Sequence, residues 1–501
     1  MSLIAIYPPL ALLAENINEV GYFAANRTII FSTLGALLLL VSFAKVYKDW
    51  QKAGFATSLL ILLFLSYGHV YSLLEKVEIA GFLVGRHRYL LVVWTLLVAF
   101  VLYLAGRIQQ LSIFEEALGV ISIALVAFAV IRLFTFSFAE WNAVRDGASD
   151  QSVPQFAQID ISDGKHPDVY YIILDAYGRS DVLANSFGVD TSGFLESLRS
   201  RGFFVGSCSQ SNYAHTHLSL ASSLNYSYLD DLGSDFVPGN KSWSNLNSLI
   251  RNGAVRQFFE GKDYKVIAFE TGFGWTEWQD ADLFFERKDS FFSKNLTGFE
   301  MLFLYTTVFA ISFDLDWIPE IQQNIQHYEL IGSNLDVLEN LATEDGPKFI
   351  FAHLVIPHHP FVFDENGGYR RDTSLSPAFE NYSEEEYREG YSQQVTFLNA
   401  RILEVVDVIL SKSDRQPVII IQGDHGPSHA GEQARMSILN AIYLPDISTE
   451  QLQNDITPVN TFRVVLNGYF DLNLPILPDR SYFSKNADPY AYTEIPKTCE
   501  R

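Results

Sequence analysis

The chain has 501 residues, more than one ordinary domain needs, and hydrophobic residues make up 48% of it against 19% charged residues. This balance favours membrane-spanning segments, and a formal net charge of −23 argues against nucleic acid as a partner. The two cysteines, Cys208 and Cys499, are too few for zinc-finger, iron–sulfur or thioredoxin-type sites. They either form a disulfide in an oxidising compartment or remain free thiols.

Four apolar runs in the first 140 residues each come near the ~20 residues that a helix needs to cross a bilayer. The runs are residues 28–44, 54–74, 89–106 and 117–138. A shorter run at residues 3–13 contains Pro8 and Pro9 and is either a fifth span or an interfacial segment. The spans lack the chain of carboxylates and histidines that a proton-coupled transporter needs, so residues 1–139 are predicted to be a transmembrane helical anchor.

Basic residues between the first two apolar runs indicate how the anchor is oriented. Lys45, Lys48 and Lys52 predict that this loop is cytoplasmic. Counting three crossings from there places everything after residue 138 on the outer side, although the next loop also carries basic residues. The chain is therefore predicted to be a multi-pass protein of the cytoplasmic (inner) membrane with an extracytoplasmic, periplasmic C-terminal part.

Residues 140–166 are polar and predict a linker, and the residues after them alternate between strand-like and helical patterns. The clearest helical pattern consists of Val395, Leu398, Ile402, Val405 and Ile409, and the strand-like runs are residues 169–174, 265–269, 349–356, 418–421 and 441–444. This alternation predicts an α/β domain over residues 167–501, with a mostly parallel central sheet covered on both faces. The apolar segment 298–311 is too short to span a membrane. It is predicted to be either a core helix or an amphipathic helix that rests on the membrane or on the transmembrane bundle.

Two chemistry-bearing residues lie near the start of the α/β region. Asp175 directly follows the run 169–174, and ligands of open α/β sheets bind beyond the carboxyl ends of strands. Thr216 lies in the first turn of a predicted helix, where free backbone N–H groups and the helix dipole favour an anion. Together they predict the first half of a metal-assisted site for phosphate or sulfate esters.

Two further strand ends carry polar pairs. Asp424 and His425 follow the run 418–421 in a glycine-framed turn, and this pair suits Zn²⁺ or Mn²⁺ better than Ca²⁺. A cation held by Asp175, Asp424 and His425 would lower the pKa of the Thr216 hydroxyl and make it a nucleophile. His358 and His359 lie between prolines after the run 349–356, where they are either a surface pair or groups that bind a phosphoryl oxygen or protonate a leaving group.

At these residues the chain resembles the sulfatase branch of the alkaline phosphatase superfamily. Its arrangement resembles the membrane-anchored phosphoethanolamine transferases and lipoteichoic acid synthases, which pair an N-terminal helical bundle with an outer αβα domain, a Thr nucleophile and a bound metal. The segment 216–222 is similar to the nucleophile segment of the phosphoethanolamine transferases. The resemblance implies that Thr216 is the nucleophile and a metal ligand. It also implies that the other metal ligands are Asp175, Asp424 and His425, and that His358 faces the substrate.

Several features depart from that family pattern. The Cys-x-Pro-x-Arg or Ser-x-Pro-x-Arg segment of formylglycine sulfatases is missing, which argues against true sulfatase activity, and so are the many cysteines of phosphoethanolamine transferases. A second metal would need ligands such as His429 and Asp364, and a single metal is favoured. His215 and His217 flank Thr216 and are predicted to be cap or surface residues.

The sequence thus predicts a membrane-anchored, metal-dependent enzyme that transfers or hydrolyses a phospho-group, such as a phosphoalcohol. Its predicted partners are membrane lipids and a lipid-linked or surface-glycan substrate, with no nucleic acid. Its predicted cofactor is a divalent metal ion, Zn²⁺ or Mn²⁺ by preference, with Mg²⁺ open. Two alternatives remain: a sulfuric ester hydrolase or phosphodiesterase that uses water, and a non-catalytic member that binds surface polysaccharide.

Overall fold

A computed structural model describes most of the chain, namely residues 2–17, 20–75, 77–79, 82–108, 112–150, 166–287, 296–314, 321–370, 382–447, 452–497 and 499. The chain divides into two compact units. The first, the helical unit, comprises Met1–Phe138 and Asp289–Gln323, and the second, the α/β unit, comprises Ala139–Lys288 and Asn324–Arg501. Residues 140–166 were predicted to be a linker. In the structure their first part is helical through Asp150, and residues 151–165 lie outside the described residues.

The α-helices and β-strands of the described residues can be given in chain order. The helices are α1 (Ser2–Asn16), α2 (Asn26–Tyr47), α3 (Trp50–Leu74), α4 (His87–Arg107), α5 (Ser112–Asp150), α6 (Ser180–Phe187), α7 (Ser192–Ser200), α8 (Thr216–Ser223), α9 (Ser244–Arg251), α10 (Ala254–Glu260), α11 (Gly298–Tyr305), α12 (Ala310–Asp314), α13 (Ile321–Asn340), α14 (Glu384–Lys412), α15 (Glu432–Met436) and α16 (Pro458–Phe470). The strands are β1 (Glu78–Ile79), β2 (Phe82–Leu83), β3 (Val169–Leu174), β4 (Phe204–Val205), β5 (Lys265–Phe269), β6 (Leu283–Phe285), β7 (Lys348–Leu354), β8 (Val418–Gln422), β9 (Asn440–Tyr443), β10 (Tyr482–Lys485) and β11 (Asp488–Glu494).

The helical unit contains the four predicted spans. Helices α2, α3 and α4, together with residues Glu116–Phe138 of α5, are long and apolar enough to cross a membrane. Large apolar side chains on these helices are exposed, for example Leu38 at 69% and Ile131 at 60%, as expected for surfaces that face lipid. Helix α1 has 15 residues, fewer than the ~17 of the shortest spanning helices, which favours the interfacial alternative for this segment.

The apolar segment 298–311 packs on the helices of its own unit. Phe303 of α11 belongs to a buried cluster with Ile4, Ile61 and other residues of α1–α3. The backbone N–H of Gly68 donates to the carbonyl of Thr306 at 3.1 Å, and a Cβ at Gly68 would lie 1.9 Å from the Tyr305 carbonyl, so only glycine permits this approach. This packing agrees with the expected helix that rests on the bundle, and the buried Phe303 also makes the segment part of the core of the helical unit.

The α/β unit is built on a seven-stranded sheet with the order β4-β9-β8-β3-β7-β5-β6. Strand β3 pairs in parallel with β7 and β8, and β5 pairs in parallel with β6 and β7. The pairs β8–β9 and β4–β9 are antiparallel and lie at one edge. The prediction of a mostly parallel sheet is confirmed, because apolar β-branched and aromatic runs form strands that are buried on both faces.

Both faces of this sheet are covered by helices. All six residues of β3 are buried, and they alternate between two apolar clusters. Tyr170, Ile172 and Leu174 pack with residues of α6, α7 and α14. The other three β3 residues pack with residues of α8, α10 and α16. The five residues that predicted a helix around position 400 are all buried on α14.

A disulfide links the two cysteines. The Cα atoms of Cys208 and Cys499 lie 5.5 Å apart, and the bridge closes a sequence separation of 291 residues. Of the two alternatives that the sequence left open, the structure therefore has the disulfide. It joins the segment before α8 to the C-terminal end of the α/β unit.

Candidate functional site

Three adjacent strand ends form the floor of the site. Strands β3, β7 and β8 are parallel neighbours, so their carboxyl ends lie at one edge of the sheet. Asp175 follows β3, and Asp424 follows β8. The connections after all three strands touch. The backbone N–H of Ala176 after β3 donates to Asp424 Oδ1 at 3.0 Å, and that of His358 after β7 donates to the Asp175 carbonyl at 3.1 Å.

The turn after β8 requires its glycines. A Cβ on Gly423 would lie 2.5 Å from the Tyr177 carbonyl, and one on Gly426 would lie 2.1 Å from the Ala434 carbonyl. Neither distance is possible for a real side chain, so the chain can pass here only with glycine at both positions. This tight turn buries Asp424 and His425, which are 1% and 0% exposed.

Thr216 is the first residue of α8, as predicted, and its hydroxyl faces this turn. Its Oγ1 lies 3.0 Å from Nε2 of His425. The Nδ1 of His425 is 3.0 Å from the Gly426 carbonyl, which can only accept, so Nδ1 carries the proton and Nε2 presents a lone pair. That same Nε2 is 3.3 Å from Asp424 Oδ2 and 3.6 Å from Asp175 Oδ1. The structure thus brings the four predicted ligand residues together.

The cluster fits a divalent metal ion. One ligand atom each from Asp175, His353 and Asp424 lies within 4.8 Å of the other two. Asp175 Oδ1 and Asp424 Oδ2 are buried and make no hydrogen bond to any described residue. Two buried carboxylates side by side repel each other and lose their hydration, a cost that a cation at this point would offset. A set of carboxylate, imidazole and hydroxyl donors suits Zn²⁺, Mn²⁺ and Mg²⁺ to different degrees.

The pKa shifts within the cluster also agree with a bound divalent metal ion. Burial opposes ionisation of Asp175, but His358, His353 and His425 outweigh burial, and the pKa of Asp175 is lowered. Burial and the charge of Asp175 together raise the pKa of Asp424. Burial, followed by the charge of Arg435, holds the pKa of His425 well below its usual range. His425 is therefore a neutral imidazole at neutral pH, the form that binds metals.

His353 is a site residue that sequence reasoning missed. It lies inside β7, is 1% exposed, and its Nε2 is 3.3 Å from Asp175 Oδ2. It pairs in register with Ile173 of β3, two residues before Asp175. The signal that could have found it is a titratable residue within the otherwise apolar run 349–356, close to the strand end.

Arg435 is a second residue that was missed. Its Nη2 lies 3.0 Å from Nε2 of His425, and its Nε donates to the Ala214 carbonyl at 2.8 Å. The guanidinium is thus held beside both the segment that precedes Thr216 and the cluster. A planar guanidinium at such a point suits the oxygens of a phosphoryl or sulfuryl group. No sequence pattern around the five-residue helix α15 indicated this role.

The predicted substrate histidines lie at the same edge of the sheet. The rings of His358 and His359 stack with their centroids 4.1 Å apart, and Nδ1 of His358 donates to the His359 carbonyl at 2.7 Å. Burial, followed by the charge of His358, lowers the pKa of His359 to about 3. Their assignment to substrate binding stays a prediction.

The two histidines that flank Thr216 and the candidate ligands for a second metal make contacts outside the cluster. Asp364 accepts from the backbone N–H groups of Asn366 and Gly368, and the ring of His429 lies tilted against that of Tyr387, with the centroids 3.9 Å apart. Neither belongs to the metal-type cluster of the described residues. His217 stacks on Trp275 at 3.3 Å, and Nε2 of His215 lies 2.9 Å from the Ser484 carbonyl.

Comparison with known proteins matches residues 167–463 to the Sulfatase family. Among solved structures, the C-terminal periplasmic domain of EcEptC from Escherichia coli in complex with Zn is 10% identical, with 68% of this chain and 96% of that chain covered and a TM-score of 0.45. The integral membrane protein lipooligosaccharide phosphoethanolamine transferase A (EptA) from Neisseria meningitidis is 12% identical, with 93% and 95% covered and a TM-score of 0.38. A protein in the alkaline phosphatase superfamily from Vibrio parahaemolyticus is 11% identical, with 70% and 82% covered and a TM-score of 0.37. No curated protein matches this chain.

Proposed function

Because the chain belongs to the sulfatase family, we propose that it is a membrane-anchored, metal-dependent enzyme that transfers or hydrolyses a phospho-group through Thr216. The observation that carries this proposal is the 3.0 Å distance between Thr216 Oγ1 and His425 Nε2, at a point where two buried carboxylates converge. A hydroxyl on the first residue of a helix, beside an electron-rich donor set, is placed to become a nucleophile. Asp175, Asp424, His425 and Thr216 would hold the metal, for which Zn²⁺ and Mn²⁺ are favoured.

The residues of this chain can divide the reaction among them. A metal ion, when bound, would supply Lewis acidity to the Thr216 oxygen and to the oxygens of the group under attack. Thr216 Oγ1 would attack phosphorus, and its proton would pass to a carboxylate oxygen of Asp424, whose pKa is raised by burial and by the charge of Asp175. Arg435 Nη2 and the N-terminus of α8 would bind the equatorial oxygens. His358, in its imidazolium form, would give its Nε2 proton to the departing oxygen as the bond from that oxygen to phosphorus breaks. The neutral ring would then take a proton from the second alcohol or water that releases the group from Thr216.

The disulfide bears on the sulfatase alternative and on localisation. A formylglycine sulfatase converts a Cys or Ser in a Pro- and Arg-containing motif, which this chain lacks, and Cys208 is bonded to Cys499.

Disulfides persist in oxidising compartments, which supports an extracytoplasmic α/β unit. The same placement follows from the basic residues after α2. An enzyme anchored there meets envelope lipids and lipid-linked or surface glycans, and we assign its substrate to these classes.

The proposal is tested with the full chain in detergent and three model substrates. Turnover of p-nitrophenyl phosphate, bis(p-nitrophenyl) phosphate and p-nitrophenyl sulfate is measured with Zn²⁺, Mn²⁺ or Mg²⁺. We expect metal-dependent cleavage of a phosphate ester that is lost in Thr216→Ala and kept in Thr191→Val, which removes a buried hydroxyl elsewhere in the α/β unit. Preferential cleavage of the sulfate ester would favour the sulfuric ester alternative. A Thr216→Ala protein as active as wild type on all three would overturn the proposal.

A further inference from the structure

A groove in the helical unit is lined mainly by apolar side chains. It has a volume of about 670 Å³, within the ~300–1,000 Å³ of ligand pockets, and its walls come from α2, α3 and α11. It extends along α2 from Thr28 to Leu39, a distance of ~17 Å at 1.5 Å per residue. One leaflet of a bilayer is ~15 Å of hydrocarbon, half of the ~30 Å core. The groove is therefore about one leaflet deep.

The two ends of the groove differ in polarity. Along most of its length the walls are Leu, Ile, Phe, Ala and Gly residues. At the end near the start of α2, Arg27 forms an ion pair with Glu300 of α11, with Nε and Oε1 3.0 Å apart. This end lies one residue inside the N-terminal limit of the span 26–47, at the level where a lipid tail meets its polar head. The charged pair and the apolar walls thus match the two parts of an amphiphile.

A buried hydroxyl at the polar end indicates that a ligand belongs there. Thr28 lines the groove and is 6% exposed, and its Oγ1 is buried without a hydrogen-bond partner among the described residues. A buried hydroxyl without a partner is costly, and in hydrocarbon no water is present to satisfy it. An ester carbonyl or a phosphate oxygen at the head of an acyl chain would accept this hydrogen bond.

We propose that this groove binds one acyl chain of a glycerophospholipid, with the ester and phosphate region at Thr28 and Arg27. The basic residues at the other end of α2 place the polar end in the outer leaflet. The ion pair of Arg27 with Glu300 makes that end polar without a net charge, which suits the head region of a phospholipid. The groove is lined by residues of the helical unit alone, and its occupancy is measured without any turnover.

A glycine in the groove gives a substitution that fills it. A Cβ added at Gly35 meets nothing within 4 Å, so a larger side chain fits there sterically and occupies the groove itself. Gly119 is a matched control, because it also lies in a spanning helix and its Cβ also meets nothing within 4 Å, yet it is not part of the groove. For the hydroxyl, Thr28→Val is matched by Thr95→Val, since Thr95 lies in α4 and donates to the Leu91 carbonyl.

The experiment uses delipidated full chain in detergent, with 1-palmitoyl-2-oleoyl-phosphatidylglycerol added stepwise and bound lipid counted by native mass spectrometry. We expect one tight adduct in wild type and in Gly119→Phe, weakened at least tenfold in Gly35→Phe. Thr28→Val should weaken it roughly two- to tenfold, the effect of one hydrogen bond, and Thr95→Val should leave it unchanged. Unfolding midpoints of all variants show whether each is folded.

Two results would overturn the proposal. One is the same distribution of adducts in wild type, Gly35→Phe and Thr28→Val, since lipid would then bind only around the protein. The other is a dimer that Gly35→Phe dissociates without any loss of bound lipid, since a second copy of the chain would then occupy the groove.

Discussion

The hydroxyl of Thr216 lies 3.0 Å from Nε2 of His425, although 209 residues separate them in the sequence. Thr216 lies at the start of α8, and His425 lies in the glycine turn that follows β8. Side chains this close to a helix start and a strand end are held more firmly than side chains on long loops. The contribution of each side chain to the proposed reaction can therefore be tested by substitution.

The first prediction concerns the Thr216 hydroxyl. Thr216→Ala and Thr216→Val should each lower kcat by at least ~10³-fold, because loss of a nucleophile leaves only binding and electrostatic stabilisation. Thr216→Ser should retain part of the activity, since it keeps a hydroxyl at the same position. Steady-state turnover of the best phosphate ester measures this. Equal activity in Thr216→Ser and Thr216→Ala would mean that the hydroxyl takes no part.

The second prediction concerns His353, which contacts Asp175 at 3.3 Å. If His353 orients that carboxylate by donating a hydrogen bond, His353→Ala should weaken metal binding by about 10–100-fold. His353→Gln should weaken it less, because its amide can still donate. His327→Gln is the matched control, since His327 bonds to the Val355 carbonyl and lies outside the cluster.

Metal affinity in these variants is measured by competition with a coloured chelator. Equal losses in His353→Gln and His353→Ala would show that His353 is itself a metal ligand. In that case the ion would be bound by Asp175, His353 and Asp424, with His425 next to it.

The third prediction is a dependence of stability on pH. Burial is the largest cause that lowers the pKa of His327 to about 4, against ~6.5 for an unfolded histidine. Between these values the unfolded chain binds a proton that the folded chain does not, so the free energy of unfolding falls as the pH drops from ~6.5 to ~4. His327→Gln, which can still donate to Val355, should lose about 1–2 kcal/mol less than wild type between pH 7 and pH 5.

This difference is read from unfolding of both proteins in excess chelator, so that metal release does not contribute. Identical losses in wild type and His327→Gln would show that His327 titrates normally in the folded protein. Other buried histidines, such as His215 with its pKa lowered to about 4 by burial and by Arg435, contribute equally to both proteins and cancel.

The fourth prediction concerns the disulfide. Cys208→Ser and Cys499→Ser should each lower the free energy of unfolding by about 2–5 kcal/mol, because the bridge closes a separation of 291 residues. Dithiothreitol should bring wild type to the stability of the variants and leave the variants unchanged. A wild-type protein with two titratable thiols and undiminished stability after reduction would contradict this.

Much of the fold could be predicted from local sequence, and the reasons are visible in particular residues. The runs 169–174 and 265–269 coincide with β3 and β5, because short apolar runs bounded by turns have few alternatives. Asp175 and Asp424 were predictable as neighbours once both were placed at ends of parallel strands. His353 and Arg435 were not, because their importance arises only from contacts made across the fold. For residues 298–311, the apolar pattern required burial but could not say which unit provides it.

The most direct test of the account is the intact mass of the full chain after incubation with metal and a phosphate ester, followed by rapid acid quenching and peptide mapping. The account predicts a phosphoryl or phosphoalcohol adduct on Thr216 in wild type and no adduct in Thr216→Ala. Turnover by wild type with the adduct on another residue, or unchanged turnover by Thr216→Ala, would contradict it.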